Sequence, residues 1–163
     1  MDIKKVSSRM RADWDRRIEH DHRFWMSDGY DSDDAMWRTG ERDFEIIARD
    51  IPAPHEKTIL EIGCGVGRLL RAALSKYLEV IGIDVSEVAL KKAGEFLKGT
   101  HGLRLIPGNG LDLSEVVDSS VDVVFSFAAL CSIPTPIIAR YLLESNRVLR
   151  DGGLLRLQFY FGE

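Results

Sequence analysis

The stretch from Thr58 to Ser86 constrains the fold most, because it combines two short apolar runs, a glycine-rich turn and a helical repeat. The first run is apolar and β-branched, which predicts a strand, and it stops at the sequence GCGVG, residues 63–67. Glycines at this spacing allow a tight turn and let another molecule approach the backbone. Apolar residues at helical spacing follow, and a second apolar run ends at Asp84. The pattern predicts a strand–turn–helix–strand unit with a carboxylate at its far tip.

Such a unit favours a nucleoside ligand. Backbone amides of the turn can face a polar group, and an acid at the neighbouring strand tip can accept hydrogen bonds from a ribose diol. A glycine turn alone is weak support, since glycines also occur wherever a strand reverses. The combination with Glu61 before the turn and Asp84 after it is more specific. A dinucleotide fingerprint needs a third glycine three residues after Gly65, where Arg68 stands, so a nicotinamide-dependent oxidoreductase is the less favoured alternative.

The same stretch resembles the first motif of the class I S-adenosylmethionine-dependent methyltransferases, in which a hydrophobic strand and an acid precede G-x-G-x-G. Further segments are similar to this family's later motifs, in order: residues 81–86, 108–113, 121–126 and 147–153. Together these motifs span about residues 57 to 160 and are more specific than any one of them. The resemblance implies that S-adenosylmethionine is the methyl donor and S-adenosylhomocysteine the product.

Strand and helix patterns alternate along the chain, which predicts an α/β, Rossmann-like doubly wound sheet of five mainly parallel strands with flanking helices. The predicted strands are 58–62, 80–83, 103–106, 121–127 and 154–161, and the later predicted helices are 35–49, 86–97 and 134–149. Residues 1–56 are predicted to be a helical segment that could act as a lid. Residues 57–163 are predicted to be the cofactor-binding core.

The resemblance also implies site residues. They are Glu61, Gly63, Cys64, Gly65, Asp84, Val85, Asn109, Gly110, Leu111, Ser126 and Phe127. The first strand and its turn would line the methionine end of the cofactor, and Asp84 would accept from both ribose hydroxyls. Val85 would pack on the adenine, while Asn109 and the amides after it would hold the adenine edge. Many relatives carry Asp in place of Asn109, a change that removes a charge but keeps an acceptor.

The acceptor side is less defined by the sequence. Phe127 is expected either to form a wall of the cofactor pocket or simply to pack in the core. The acid-Pro-Pro-Tyr or Asn-Pro-Pro-Tyr signature of relatives that methylate amides is absent here, which favours a small-molecule acceptor. No catalytic residue is assigned, because methyl transfer from a sulfonium depends mainly on positioning. A cofactor-binding scaffold without turnover is the alternative function.

Residues 1–26 predict a charged helix that docks by a sparse apolar stripe. By resemblance, the lid candidates are Tyr30, Trp37 and Arg38, and the alternative for Trp37 is ordinary packing of its helix on the sheet. His20 and His22 lie two residues apart and do not share a helix face, so no metal site is predicted.

The composition of the chain limits the kinds of ligand and partner it is expected to bind. A net charge of −4 disfavours a broad nucleic-acid footprint. Cys64 and Cys131 are far apart in sequence, which suggests neither a disulfide nor a zinc site and favours a reducing cytoplasm. Cys131 is expected to be a small buried residue. The sequence has neither an apolar run that could span a membrane nor the apolar core of a signal peptide.

The family usually carries two further strands beside the fifth, and the sequence stops at Glu163. Residues 154–161 are therefore expected to form an uncovered apolar edge strand. Either the chain is a fragment of a longer protein, or self-association through this edge covers it.

Overall fold

The computed structural model describes residues 3–26, 31–52 and 54–159, and in that part of the chain it contains one five-stranded sheet. The strands are β1 (Thr58–Ile62), β2 (Glu79–Asp84), β3 (Leu103–Pro107), β4 (Val121–Ser126) and β5 (Leu149–Leu157). All neighbouring strands pair in parallel, in the order β3-β2-β1-β4-β5. The predicted Rossmann-like fold with five parallel strands is confirmed.

The strand order creates a switch point at the centre of the sheet. From β1 the chain first builds outward through β2 to β3, then returns to place β4 on the other side of β1. Ligands of open α/β sheets bind in the crevice that such a reversal leaves at the carboxyl ends of the strands. The fold therefore predicts a ligand site at the carboxyl ends of β1, β2 and β4.

Five helices flank the sheet in the described residues: α1 (Ile3–Trp25), α2 (Asp33–Ile47), α3 (Arg68–Leu74), α4 (Glu87–Phe96) and α5 (Thr135–Val148). Serine side chains begin two of them. Ser32 accepts a hydrogen bond from the amide of Ala35 in α2, and Ser86 accepts one from Ala89 in α4, which satisfies backbone donors that the first turn leaves free. Within α1, Asp21 has extended dihedrals (φ −163°, ψ 101°) and kinks the helix.

The sheet is buried on both faces. Ile59 of β1 belongs to a buried cluster with Phe44 of α2 and Leu70 of α3. The next residue, Leu60, points to the opposite face, where its cluster includes Ile137 of α5. Successive side chains of a strand alternate between faces, so apolar residues on both faces of β1 are what a sheet covered by helices on both sides requires.

The fifth strand differs from its prediction. It begins at Leu149 rather than 154, because a register shift interrupts its pairing with β4: Val121 pairs with Leu149, whereas Val123 pairs with Leu154. Gly152 within this bulge has a φ of +77°, a conformation that glycine adopts at little cost. The predicted end of the strand, beyond Phe159, lies outside the described residues.

Candidate functional site

The carboxyl ends of β1, β2 and β4 open into a cleft of about 850 Å³, a volume that includes its open mouth. Small-molecule sites have volumes of this order. Of the residues predicted from the sequence, those on the cleft wall are Glu61, Gly63, Cys64, Gly65, Asp84, Val85, Gly110 and Phe127. They come from four separate stretches of the chain, and the sheet brings them together at one edge.

The glycine turn after β1 has left-handed backbone at Gly63, Gly65 and Gly67, with φ of +74°, +54° and +84°. The amides of Gly63 and Cys64 both donate to the carbonyl of Ile83, at 2.8 and 3.2 Å, which ties the turn to β2. A Cβ added to Gly63 would lie 2.4 Å from the Cβ of Ala129. The turn therefore needs glycine both for its conformation and for close packing against the loop after β4.

Asp84 lies at the tip of β2 and holds the turn in place. Its Oδ2 accepts from the amide of Gly65 and its Oδ1 from the amide of Ser86, both at 2.8 Å. Burial raises the pKa of Asp84, the backbone hydrogen bonds oppose that rise, and the nearby Asp15 carboxylate adds to it. Each carboxylate oxygen has two lone pairs, so both can still accept a hydrogen bond from a diol.

Glu61 is the most unusual group in the cleft. Its side chain is 2% exposed, and its Oε2 is the single buried side-chain oxygen or nitrogen without a hydrogen-bond partner among the described residues. Burial raises the pKa of Glu61 to about 8, while the positive charge of Arg68 opposes that rise. Buried polar atoms are nearly always paired, so an unpaired carboxyl oxygen on a cleft wall indicates a missing donor.

Three predicted site residues do not line the cleft. Asn109 closes its own loop instead: its Oδ1 accepts from the amides of Leu111 and Asp112, at 2.7 and 3.0 Å. Leu111 is partly buried against the core. Ser126 is fully buried, and its hydroxyl donates to the carbonyl of Ile62 at 2.8 Å, which joins β4 to β1. The expectation that the Asn109 side chain would meet the adenine edge is not supported by this geometry.

The long helix α1 forms part of the cleft wall. It belongs to residues 1–56, for which a lid role was predicted, but its cleft-facing residues were not among the lid candidates named from the sequence. Met10, Trp14 and Ile18 line the cleft together with Trp25 and Met26. The first three recur every fourth residue and so share one helix face, a signal that was present in the sequence. The apolar stripe predicted for this segment therefore exists, but it faces the cleft.

Polar contacts fix α1 in this position. The Asp15 carboxylate accepts from the Ser86 hydroxyl at 2.6 Å and from the amide of Val88 at 3.3 Å, at the start of α4. The Ser7 hydroxyl donates to the carbonyl of Asn109 in the loop after β3. These contacts anchor α1 to two of the loops that border the cleft.

The two predicted lid residues that the structure describes, Trp37 and Arg38, lie away from the cleft. Trp37 is buried at 9% exposure, packs edge-on against Phe96 of α4 and lies beneath the guanidinium of Arg71. Arg38 is exposed. Neither lines the cleft, so the packing alternative for Trp37 agrees with the structure. Tyr30 lies outside the described residues.

The loop after β4 forms the remaining wall with Phe127, Ala128, Ala129, Ser132 and Ile133. Ala128 has a φ of +57°, which is unusual for a residue with a side chain. Its amide donates to the Oε1 of Gln158, which follows β5, at 2.8 Å. Sequence reasoning did not identify Gln158. Cys131, expected to be buried, is exposed on this loop, because the short helical turn 130–132 points it outward.

The described part of the chain contains neither a candidate metal site nor a candidate membrane-spanning helix. Its histidines, cysteines and carboxylates form no group of three or more that could hold a metal ion. None of its helices is long and apolar enough to cross a membrane.

Comparison with known proteins gives the family. The sequence profile described as "Methyltransferase domain" matches residues 60–157. An uncharacterized methyltransferase of Schizosaccharomyces pombe is 36% identical over 113 residues, covering 66% of this chain and 41% of that protein. The demethylmenaquinone methyltransferase of Staphylococcus carnosus is 38% identical over 99 residues, and the match covers 58% of this chain and 39% of that protein. The chain thus spans about two fifths of the length of these curated relatives.

A solved structure shows the same fold over nearly the whole chain. Phosphoethanolamine N-methyltransferase 1 of Haemonchus contortus, determined with phosphoethanolamine and S-adenosylhomocysteine, superposes with a TM-score of 0.74 and 22% identity. The superposition covers 96% of this chain and 33% of that protein. The matched profile covers more than half of the sequence and includes the strand, the glycine turn and the acid that the site is built from. The chain therefore belongs to the class I S-adenosylmethionine-dependent methyltransferases.

Proposed function

We propose that the cleft binds S-adenosylmethionine and that the protein transfers its methyl group to a small-molecule acceptor held against the loop after β4. One observation carries the proposal: the unpaired Glu61 oxygen and the Asp84 carboxylate lie on one wall, on either side of a left-handed glycine turn. An acceptor for an ammonium group and an acceptor for a ribose diol are what the amino-acid group and the ribose of this cofactor require.

The described residues fit the cofactor in specific ways. Asp84 has lone pairs for the ribose hydroxyls, and Val85 and Gly110 form an apolar wall where an adenine ring can pack. Glu61 lacks a donor that the methionine ammonium can supply. The glycine turn between them brings backbone, not side chains, to the cleft wall. When bound, the cofactor supplies an electrophilic methyl group on a sulfonium, so the protein needs chiefly to orient the acceptor.

The acceptor side of the cleft is mainly apolar. Ala128, Ala129 and Ile133 face it with Trp25 of α1, and Ser132 is the polar member of this wall. Among these described residues there is no histidine or carboxylate to act as a general base, which favours an acceptor atom that is already nucleophilic. The names of the Staphylococcus carnosus and Haemonchus contortus proteins give different acceptors, so the family alone does not select one. The free thiols Cys64 and Cys131 fit a reducing compartment such as the cytoplasm.

The proposal is tested by calorimetric titration of the chain with S-adenosylhomocysteine, with NAD as the control ligand. We expect binding of S-adenosylhomocysteine alone. Asp84→Ala should weaken it by about 1.5–3 kcal/mol, the range for hydrogen bonds to a charged group. Asp151→Ala, which removes an exposed carboxylate at the opposite end of the sheet, should have no effect. Unchanged affinity in a folded Asp84→Ala variant would contradict the site.

Turnover is tested separately, because a scaffold that only binds the cofactor would pass the first experiment. Incubation with S-adenosylmethionine and a panel of amine, thiol, phenol and quinol acceptors should release S-adenosylhomocysteine with at least one of them. Tight binding without conversion across the panel would favour the scaffold alternative.

A further inference from the structure

Arg68 is a buried cation on the wall of the cleft. It is the first residue of α3, is 5% exposed and lines the cleft with the glycine turn that precedes it. In the sequence it only distinguished this turn from a dinucleotide fingerprint. Burying a guanidinium removes its hydrating water, and this costs free energy unless protein or ligand groups accept its hydrogen bonds. The contacts of Arg68 therefore show which of its donors still have no acceptor.

One of those contacts is an ion pair. Arg68 Nη1 donates to Asp43 Oδ2 of α2 at 2.6 Å, and both side chains are almost fully buried. Asp43 is the only hydrogen-bond partner of the Arg68 side chain among the described residues. A guanidinium carries five N–H donors. One bond to Asp43 therefore leaves most of its donors for another acceptor.

Two further contacts fix the position of the guanidinium. Its Cζ lies 5.6 Å from the centre of the Phe127 ring, at the tip of β4. Gly40 lets α2 approach the stem of this side chain closely, since a Cβ there would lie 2.7 Å from Arg68 Cγ. The side chain is thus held on the cleft wall by packing at its stem and at its guanidinium.

Glu61 supplies the opposite charge on the same wall. Its Oε2 is unpaired, and the two residues form no ion pair with each other among the described contacts, although the charge of Arg68 influences Glu61. A cation with free donors and a carboxyl with a free acceptor together complement a ligand end that carries both an ammonium and a carboxylate. An α-amino acid group has that arrangement.

We infer that Arg68 binds the α-carboxylate of the cofactor's amino-acid end, and that Asp43 positions it for this. The inference rests on the proposed function and adds a specificity determinant to it. It makes the cleft selective for nucleosides that carry an intact amino acid. Asp84 would select the nucleoside, and Arg68 would select the carboxylate.

The test compares three ligands by titration calorimetry. S-adenosylhomocysteine has the whole amino acid, S-adenosyl-3-thiopropylamine keeps the amine but lacks the carboxylate, and 5′-methylthioadenosine lacks both. The unmodified protein should bind the first at least about tenfold more tightly than the second, the scale of one charge-assisted hydrogen bond. In Arg68→Met combined with Asp43→Asn, that preference should fall below about threefold, while the affinity for S-adenosyl-3-thiopropylamine stays unchanged.

The double variant is used because Arg68→Met alone would leave the buried Asp43 carboxylate with only the exposed Arg42 as its charged partner, which destabilises the fold. Asp43→Asn alone is the matched control: it retains the guanidinium and should keep most of the preference for the carboxylate. A preference that survives in the folded double variant would overturn the inference. An equal loss of affinity for all three ligands would assign Arg68 a purely structural role. If the unmodified protein binds none of them, the proposed function fails first and the inference fails with it.

Discussion

The Glu61 carboxyl links the chemistry of the cleft to the stability of the fold. Burial raises its pKa from an ordinary value of 4.5 to about 8 in the folded chain. Between these two values the folded protein keeps a proton that the unfolded chain releases. Because stability falls with pH wherever the folded state binds more protons, Glu61 reduces stability progressively as pH rises from about 4.5 to about 8.

Glu61→Gln should therefore stabilise the empty protein, and by more at high pH than at low pH. The amide cannot ionise, so the gain should be small at pH 4.5 and reach up to about 3 kcal/mol at pH 7. Urea unfolding at a series of pH values measures it. Glu115→Gln, at an exposed site, serves as the control. A stability difference that does not change with pH would show that Glu61 is ionised in the folded chain.

Among individual site residues, the sequence predicted the location of those whose position depends only on the path of the backbone. Glu61, the turn glycines and Asp84 come at the ends of two adjacent strands, so the sheet decides where they lie. The contacts of Asn109 were not anticipated, because its side chain closes a local turn onto Leu111 and Asp112. That turn had a local signal, since asparagine side chains often bond to backbone amides two residues on. Arg68 and Asp43 are 25 residues apart, and no local pattern pairs them.

Helix α1 shows what prediction misses at the scale of an element. Its helical nature and its apolar stripe could be predicted, and the family resemblance suggested a lid role for residues 1–56, but the contacts that dock α1 on the cleft could not be predicted. The docking depends on Asp15, which meets the start of α4 more than 70 residues away in the chain. Sequence periodicity identifies the apolar face of a helix and does not identify the surface that receives it.

Asp15→Ala should loosen α1 from the cleft. The variant loses a hydrogen bond to the Ser86 hydroxyl and one to the backbone of α4, a loss of about 1 kcal/mol by analogy with helix capping. Hydrogen exchange should become faster in residues 3–26 and stay unchanged in β1. Glu19→Ala, at an exposed position of the same helix, should leave both unchanged. Equal exchange rates in the Asp15 variant and the unmodified chain would contradict the anchoring role.

The exposed edge of β5 leads us to expect self-association of the chain. Among the described residues it pairs with β4 alone, and Leu155 and Phe159 are each 38% exposed. Unpaired backbone groups beside apolar side chains are a template for pairing with another strand. We expect the apparent mass of the chain in light scattering to rise with concentration. Leu155→Lys should suppress the rise, whereas Leu143→Lys, on the exposed surface of α5, should not. A chain that stays monomeric at every concentration would refute this.

The whole molecule follows from the alternation of strands and helices more directly than from any single residue. Parallel strands need crossover connections, and right-handed crossovers leave few arrangements for five strands. The order of the strands, β3-β2-β1-β4-β5, comes from the structure and was not predicted from the sequence. The bulge in β5 was not predictable, because its register depends on β4, nearly 30 residues earlier.

Gly40 affects the order in which the chain folds. It lies in the middle of α2, where glycine weakens a helix by about 1 kcal/mol relative to alanine, and a 15-residue helix is already marginal on its own. Its close contact is with the backbone of Arg68, which exists as a surface only once α3 has formed. On a ribosome, α2 is synthesised before that surface. We therefore expect α2 to become stable only after the glycine turn and α3 that follow it have been synthesised.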